Sequence, residues 1–257
     1  MIKRKIRQLL CYLGILSLIF SGTGKLYAED SPSLNAKVRQ IAMTYGRTVI
    51  LKEDGTVWMC GDTTYGLFYG TSTIPQQVTG IDHVKQIAAG DYHTVALKED
   101  GTVYTWGWNN SGQLGTGSFL DDKAKTPQYV SGLDQIEEII AGREYVIVMK
   151  EDGTIYAWGH NNYGQLGLGS NNTYVIFPTK MQSLSNMQQI AAGYEHAIAL
   201  KKDGTVYVWG SNIYGQLSLD DNNSNKNVPY ELTELKNVKQ VAAGGNSTAV
   251  IKEDGTA

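Results

Sequence analysis

The chain is short of thiols, of long apolar runs and of helical patterning, and each shortage closes off a class of architecture. It has two cysteines in 257 residues. Cys11 lies in an N-terminal stretch that reads as an export leader, so Cys60 is the one thiol left and no intramolecular disulfide is expected. Packing alone must therefore hold the fold together. The longest apolar run, Leu9 to Phe20, is twelve residues, too short to span a bilayer comfortably. Basic Lys3, Arg4, Lys5 and Arg7 precede it, and a Ser/Gly stretch leads on to Leu26-Tyr27-Ala28. This three-part pattern predicts a signal peptide over 1–28, cleaved after Ala28, with an uncleaved anchor as the alternative. A secreted or envelope-associated protein is the expectation.

Positive charge is also scarce. The full chain has 22 basic residues against 25 acidic ones; removing the five basic residues of the leader leaves 17 against 25, a net charge near −8. A surface of that sign repels phosphate backbones, which argues against DNA or RNA as a partner. The motifs of chemistry are missing too. There is no phosphate-cradling loop, no serine-centred elbow and no metal-ligand quartet. The oxygen-rich linker Asp220 to Asn225 lacks the turn glycine and distant glutamate of a calcium loop. No cofactor, metal or catalytic residue is expected.

What the chain does have is a repeat. QIAAGDYHTVALKEDGTVYTWGWNNSGQLGTG (Gln86 to Gly117) returns as EIIAGREYVIVMKEDGTIYAWGHNNYGQLGLG (Glu138 to Gly169) and as QIAAGYEHAIALKKDGTVYVWGSNIYGQLSL (Gln189 to Leu219). A weaker copy runs from Gln40 to Gly70, and a fifth begins at Gln240. The turn glycines Gly55, Gly101, Gly153, Gly204 and Gly255 are spaced by 46, 52, 51 and 51 residues, a period suited to one four-stranded sheet per copy. Within one copy, Gln86–Ala89, His93–Leu97 and Val103–Trp106 read as strands, Asp100-Gly101 as a hairpin turn, and Pro127–Val130 as the fourth strand. The polar segments 118–126 and 171–174 read as surface loops. Gly107, Gly112 and Gly115 are expected where one sheet closely approaches its neighbour. Trp106, Trp158 and Trp209 are expected to fill the space between sheets, with Cys60 at the matched place of the first copy as a buried, inert thiol.

The pattern AAGxxHTxALKxDGTVYxWGxNxxGQLGxG resembles the regulator of chromosome condensation repeat, of a bacterial secreted type. The resemblance implies an all-β propeller: four complete blades over 38–83, 84–135, 136–186 and 187–237, and a partial fifth over 238–257. The family is commonly seven-bladed, which needs about 350 residues, so a larger ring or a longer protein is the expectation. An open arc closed by oligomerisation or a borrowed strand is the alternative. Members differ in activity. The eukaryotic namesake is a guanine-nucleotide exchange factor for a small GTPase, and a secreted bacterial relative inhibits β-lactamases. Inhibition of a secreted hydrolase is therefore an alternative reading, and nucleotide exchange a remoter one.

A repeat scaffold keeps its strands alike and carries function in its loops. The Asp-Gly turns lie at one end of each blade; the loop before the second strand and the loop after the third share the other. That end collects Tyr45, Tyr65, Tyr92, Trp108, Glu144, His160, Tyr163, Tyr194, Glu195 and Tyr214. Aromatic rings flanked by carboxylates match the composition of protein-binding hot spots. The expected role is non-catalytic binding of another protein or a cell-wall component. Trp108, present in one copy alone, is the foremost contact, whereas Tyr163 and Tyr214 recur and serve equally well as packing between blades. His93 and His196 recur at one position, so they read as structural, each bonding a loop to its blade.

Overall fold

The structure is a computed structural model, and it describes residues 37–44, 46–62, 71–119, 123–170, 172–219 and 224–257. The export leader, Tyr45 and Tyr65 fall outside these residues.

Every described element is a strand, and each repeat is one antiparallel meander. The first sheet is β1 (Val38–Thr44), β2 (Arg47–Lys52), β3 (Val57–Asp62) and β4 (Thr71–Gln77). The second is β5 (Val84–Ala89), β6 (His93–Lys98), β7 (Val103–Trp108) and β8 (Lys123–Tyr129). The third is β9 (Ile136–Ala141), β10 (Tyr145–Lys150), β11 (Ile155–His160) and β12 (Tyr174–Lys180). The fourth is β13 (Met187–Ala192), β14 (His196–Lys201), β15 (Val206–Gly210) and β16 (Lys226–Glu231). A two-stranded fifth sheet holds β17 (Val238–Gly244) and β18 (Ser247–Lys252). The innermost strands β1, β5, β9, β13 and β17 touch in succession around an axis, so the sheets are blades of a β-propeller. The fourth strand starts earlier than its sequence suggests. Lys123–Thr126 and Tyr174 are strand rather than loop, because pairing with β7 and β11 satisfies backbone that polar composition alone assigns to solvent.

The turns follow the local chemistry. Gly55, Gly101, Gly153, Gly204 and Gly255 all have φ between 78 and 89°, and the preceding aspartate ties the turn: Asp54 Oδ1 accepts from both N–H and Oγ1 of Thr56, at 3.0 and 2.7 Å. The same bonds hold Thr102 to Asp100. These acidic tips are exposed Asx-turns. Four non-glycine residues at matched entry positions, His83, Gln135, Asn186 and Asn237, are left-handed with φ of 52, 52, 59 and 56°. Asparagine tolerates that region and glutamine does not. Gln135→Gly should raise the unfolding free energy by about 0.5–1 kcal/mol, read as a higher denaturant midpoint at unchanged slope.

The core is divided into slabs between blades. Trp106, Trp158 and Trp209 are fully buried, and each reaches back to the preceding blade. Trp158 donates to the Gln113 carbonyl at 3.0 Å and Trp209 to that of Gln165 at 2.9 Å, while Trp106 Nε1 lies 3.4 Å from Met59 Sδ. Around Trp158 the slab joins Val95, Leu97 and Val103 of the second blade to Ile139, Val146 and Val148 of the third. Cys60, at the tryptophan position of the first blade, is only half-buried, against the expectation of a buried thiol; burial still pushes its pKa up. Opposite this position each outer strand bulges, and Pro75, Pro127, Pro178 and Pro229 stand at the matched place in β4, β8, β12 and β16.

A second set of links crosses the junctions nearer the loop end. Arg47 Nη2 donates to the carbonyls of Gly90 and His93, both at 3.1 Å. At the matched place Tyr145 Oη donates to His196 O at 2.5 Å and to Gly193 O at 3.2 Å. His196 Nε2 lies 2.9 Å from Thr248 Oγ1 of the fifth sheet. The recurring side chain thus joins one blade to the next, rather than a loop to its own blade. His93 departs from this pattern: it is fully buried, and neither ring nitrogen meets a partner among the described residues.

That burial, with Arg47 nearby, lowers the His93 pKa to about 3. The folded value lies below the unfolded 6.5, so His93 stays neutral in the fold while the unfolded chain takes up a proton. Stability is whole above pH 6.5 and falls as pH drops toward 3. Between pH 6.5 and 4.5 the loss is expected to reach about 2–3 kcal/mol, measured by denaturant unfolding, with a shallower fall in His93→Gln.

Candidate protein-binding face

The loops at the end opposite the Asp-Gly turns are bound to each other by backbone. Trp108 N–H donates to Tyr92 O at 2.9 Å, His160 N–H to Glu144 O at 2.9 Å, and Ser211 N–H to Glu195 O at 2.7 Å. Each bond sets the loop after the third strand beside the loop before the second, so the two expected clusters do share a face. Around the axis, the N–H of Asp91 donates to Arg143 O, that of Arg143 to Tyr194 O, and that of Tyr194 to Gly245 O, at 3.0, 3.2 and 2.8 Å. The mouth inside this chain of bonds is a cavity of about 280 Å³ lined by alanine and glycine backbone with Thr44, Asp91, Arg143 and Tyr194.

Arg143, on the third blade, bridges three blades electrostatically. Its Nε lies 3.2 Å from Asp91 Oδ2 of the second blade and its Nη1 lies 3.8 Å from Glu195 Oε1 of the fourth. Glu195 also meets His160 Nδ1 at 3.3 Å and the Gln165 amide. Glu144 accepts from Ser111 Oγ of the second blade at 2.9 Å. Burial raises the Asp91 pKa, opposed by Arg143 and reinforced by Glu144 and Glu195. The carboxylates are thus tied to neighbouring blades.

The expected contact residues divide into two groups. Tyr194 and Tyr214 stand out, 43% and 73% exposed. Tyr92, Trp108, Glu144, His160, Tyr163 and Glu195 are half-buried. Trp108 packs edge-on against Tyr92 with centroids 5.1 Å apart, and His160 against Tyr163 at 6.2 Å. Trp108 therefore packs on the loop before the second strand, and Tyr214 is the more exposed probe of contact.

Sequence reasoning passes over a further aromatic group. Phe119 and Tyr174, 44% and 43% exposed, meet edge-on at 5.7 Å across two blades, and Tyr174 lies 5.8 Å from His160. The available signal is two large rings inside otherwise polar linkers. No group of three or more His, Cys, Asp or Glu side chains placed to hold a metal ion occurs among the described residues.

Comparison with known proteins accords with this geometry. Residues 22–257 match the RCC1-like domain family. The chain is 34% identical over 233 residues to the human probable E3 ubiquitin-protein ligase HERC4, covering 86% of this chain and 22% of that protein. It is 32% identical over 157 residues to the Ultraviolet-B receptor UVR8 of Arabidopsis thaliana, covering 59% of this chain and 35% of the relative. The structure of Prp20p from Saccharomyces cerevisiae, described with its binding properties to Gsp1p and histones, superposes with a TM-score of 0.76 at 25% identity, covering 85% of this chain and 56% of that one. Human WBSCR16 superposes with the same TM-score at 22% identity, covering 88% and 60%. The chain thus spans a minor part of these curated relatives and a little over half of the solved propellers. Propellers of this kind are commonly protein-interaction modules and typically non-catalytic. By its repeats, its blades and this match, the chain is a member of the RCC1-like domain family.

Proposed function

We propose that this chain is a non-catalytic binding module, exported to the cell surface or beyond, that captures another protein on the aromatic and acidic face around the propeller mouth. The observation that carries this reading is the exposure of Tyr194 and Tyr214 at this end of the blades. Large rings left in solvent supply contact area at low entropic cost. The leader pattern at 1–28 supports export, and the acidic balance disfavours nucleic acid.

The test is an affinity capture with the wild-type chain and a Tyr194→Ala/Tyr214→Ala double variant, against culture medium and envelope fractions. A partner held by the wild type is expected to bind at least tenfold more weakly to the double variant, at a melting temperature within about 2 °C. Equal capture by both proteins, or loss of binding only together with loss of folding, rejects the face.

A further inference from the structure

Three slabs between blades each hold a tryptophan carried on the third strand of the later blade. Trp106 lies in the first, Trp158 in the second and Trp209 in the third. The slab between the fourth blade and the fifth sheet joins Ile198, Val208 and Leu217 to Val238 and Val241, and among the described residues it holds no tryptophan. The second strand of each complete blade, β2, β6, β10 and β14, is paired on both edges. Among the described residues β18 pairs with β17 alone. Ile251 is accordingly 40% exposed, whereas the matched Leu51, Leu97 and Leu200 are buried.

The direction of the open rungs follows from the inner strands, where glutamine fastens one blade to the next. Gln40 holds the N–H and carbonyl of Ile87 at 2.9 and 2.7 Å, and Gln86 those of Ile139 at 3.2 and 3.1 Å. Gln189 Oε1 accepts the Val241 N–H at 3.0 Å. Val241 thus points that N–H away from β18. Val250, opposite it in the register, points its own N–H and carbonyl to the free edge. From Ser247 to Ile251 this edge has neither charge nor proline, the usual guards against a foreign strand.

We infer that the edge of β18 and the slab behind it form a strand-binding cleft, whose ligand is an extended segment of another polypeptide with the pattern Val-Tyr-x-Trp-Gly. The chain's own junctions set this chemistry. In β15 the same pattern pairs antiparallel with β14, Trp209 opposite Ala197 and Tyr207 opposite Ala199. In that register on β18, the ligand's tryptophan falls opposite Thr248 and its tyrosine opposite Val250. Thr248 Oγ1 donates to the Gln216 carbonyl at 2.8 Å. The matched carbonyls of Gln113 and Gln165 accept the N–H of Trp158 and Trp209. A carbonyl has two lone pairs, so that of Gln216 has room for an indole N–H beside the hydroxyl. Main-chain rungs supply affinity, and the indole supplies selectivity. The cleft uses neither Tyr194 nor Tyr214, so it stands or falls apart from the aromatic face.

Fluorescence anisotropy of a dye-labelled peptide with the sequence of residues 204–211, titrated with the full chain, tests it. Saturable binding is expected, weakened roughly tenfold or more by Trp209→Ala in the peptide and by Val250→Pro in the chain. Proline is tolerated where an edge N–H faces solvent, so Val250→Pro removes the rung and spares the β17–β18 ladder. Its melting temperature is expected within about 3 °C of the wild type. The peptide variant, read on the wild-type chain, decides the matter if the protein variant folds poorly. A peptide that fails to saturate by about 1 mM, or that binds as well without its tryptophan, overturns the cleft. Oligomers of the chain itself that Val250→Pro disperses would give the edge to a second copy and overturn it as well.

Discussion

Replacing Trp158 by alanine is expected to lower the unfolding free energy by about 3–5 kcal/mol, the range for deleting a large ring from a closed core. The ring is fully buried between the second and third blades, and its N–H is used on the Gln113 carbonyl. Truncation leaves a void lined by side chains from both blades, together with a buried carbonyl that has lost its donor. The slab cannot collapse to refill the space, because the inner strands on either side are fastened by the Gln86 pair with Ile139. The measurement is the urea midpoint, joined by hydrogen exchange. Amides of β6, whose Val95 and Leu97 line this slab, should lose protection well before those of β14, which contributes no residue to it. Uniform loss along the chain would mean that the blades do not act as separable units.

Gly159→Ala is expected to cost as much, about 3 kcal/mol or more, through backbone rather than cavity. Gly159 has φ of 104°, a region closed to alanine without strain. A Cβ built there would stand 2.5 Å from the Glu144 carbonyl oxygen and 2.8 Å from Tyr145 Cα. Both obstacles are main chain, so no rotamer relieves them. The consequence reaches the proposed face. Glu144 and His160 are bonded N–H to carbonyl at this spot, and pushing them apart displaces two rim residues at once. A lower denaturant midpoint together with weaker partner capture is the expected result; an unchanged midpoint would show that the hairpin yields where it is described as closed.

The same glycine marks the limit of what the sequence discloses. The Trp-Gly pair is plain in every strong copy, and Trp158 does fill the gap between blades as its recurrence predicts. Gly107 and its matches read as points of approach to a neighbouring blade. Gly159 instead lies against the second strand of its own blade, whereas Gly112 and Gly115 do approach the next one, at Ile176 and Trp158. Periodicity identifies the positions that repeat, and the partner of each is set by twist and stagger, which leave no trace in spacing.

The candidate site divides in the same way. Loops sharing a face follow from alternation of strand direction, so Tyr92 beside Trp108 is legible from chain order alone. The bridge from Arg143 to Asp91 and Glu195 joins three copies roughly one period apart, and no local rule pairs an arginine with carboxylates at that distance along the chain. Phe119 and Tyr174 hide for a related reason. Both sit in linkers whose polar composition predicts solvent, and only the junction of two blades brings them together.

The prolines of the outer strands decide how another molecule can approach. A sheet edge invites a foreign strand because each free N–H and carbonyl is a rung awaiting its match. In β4, β8, β12 and β16 a rung has no hydrogen to offer, and the bulge there carries the backbone out of line. A visiting chain that tried to extend any of these four sheets sideways would meet the gap midway and find no continuous ladder. These four edges are in this sense sealed against templated growth, which leaves recognition there to side chains at the ends of the blades, where rings and charges can be exchanged between repeats without disturbing the ladder beneath.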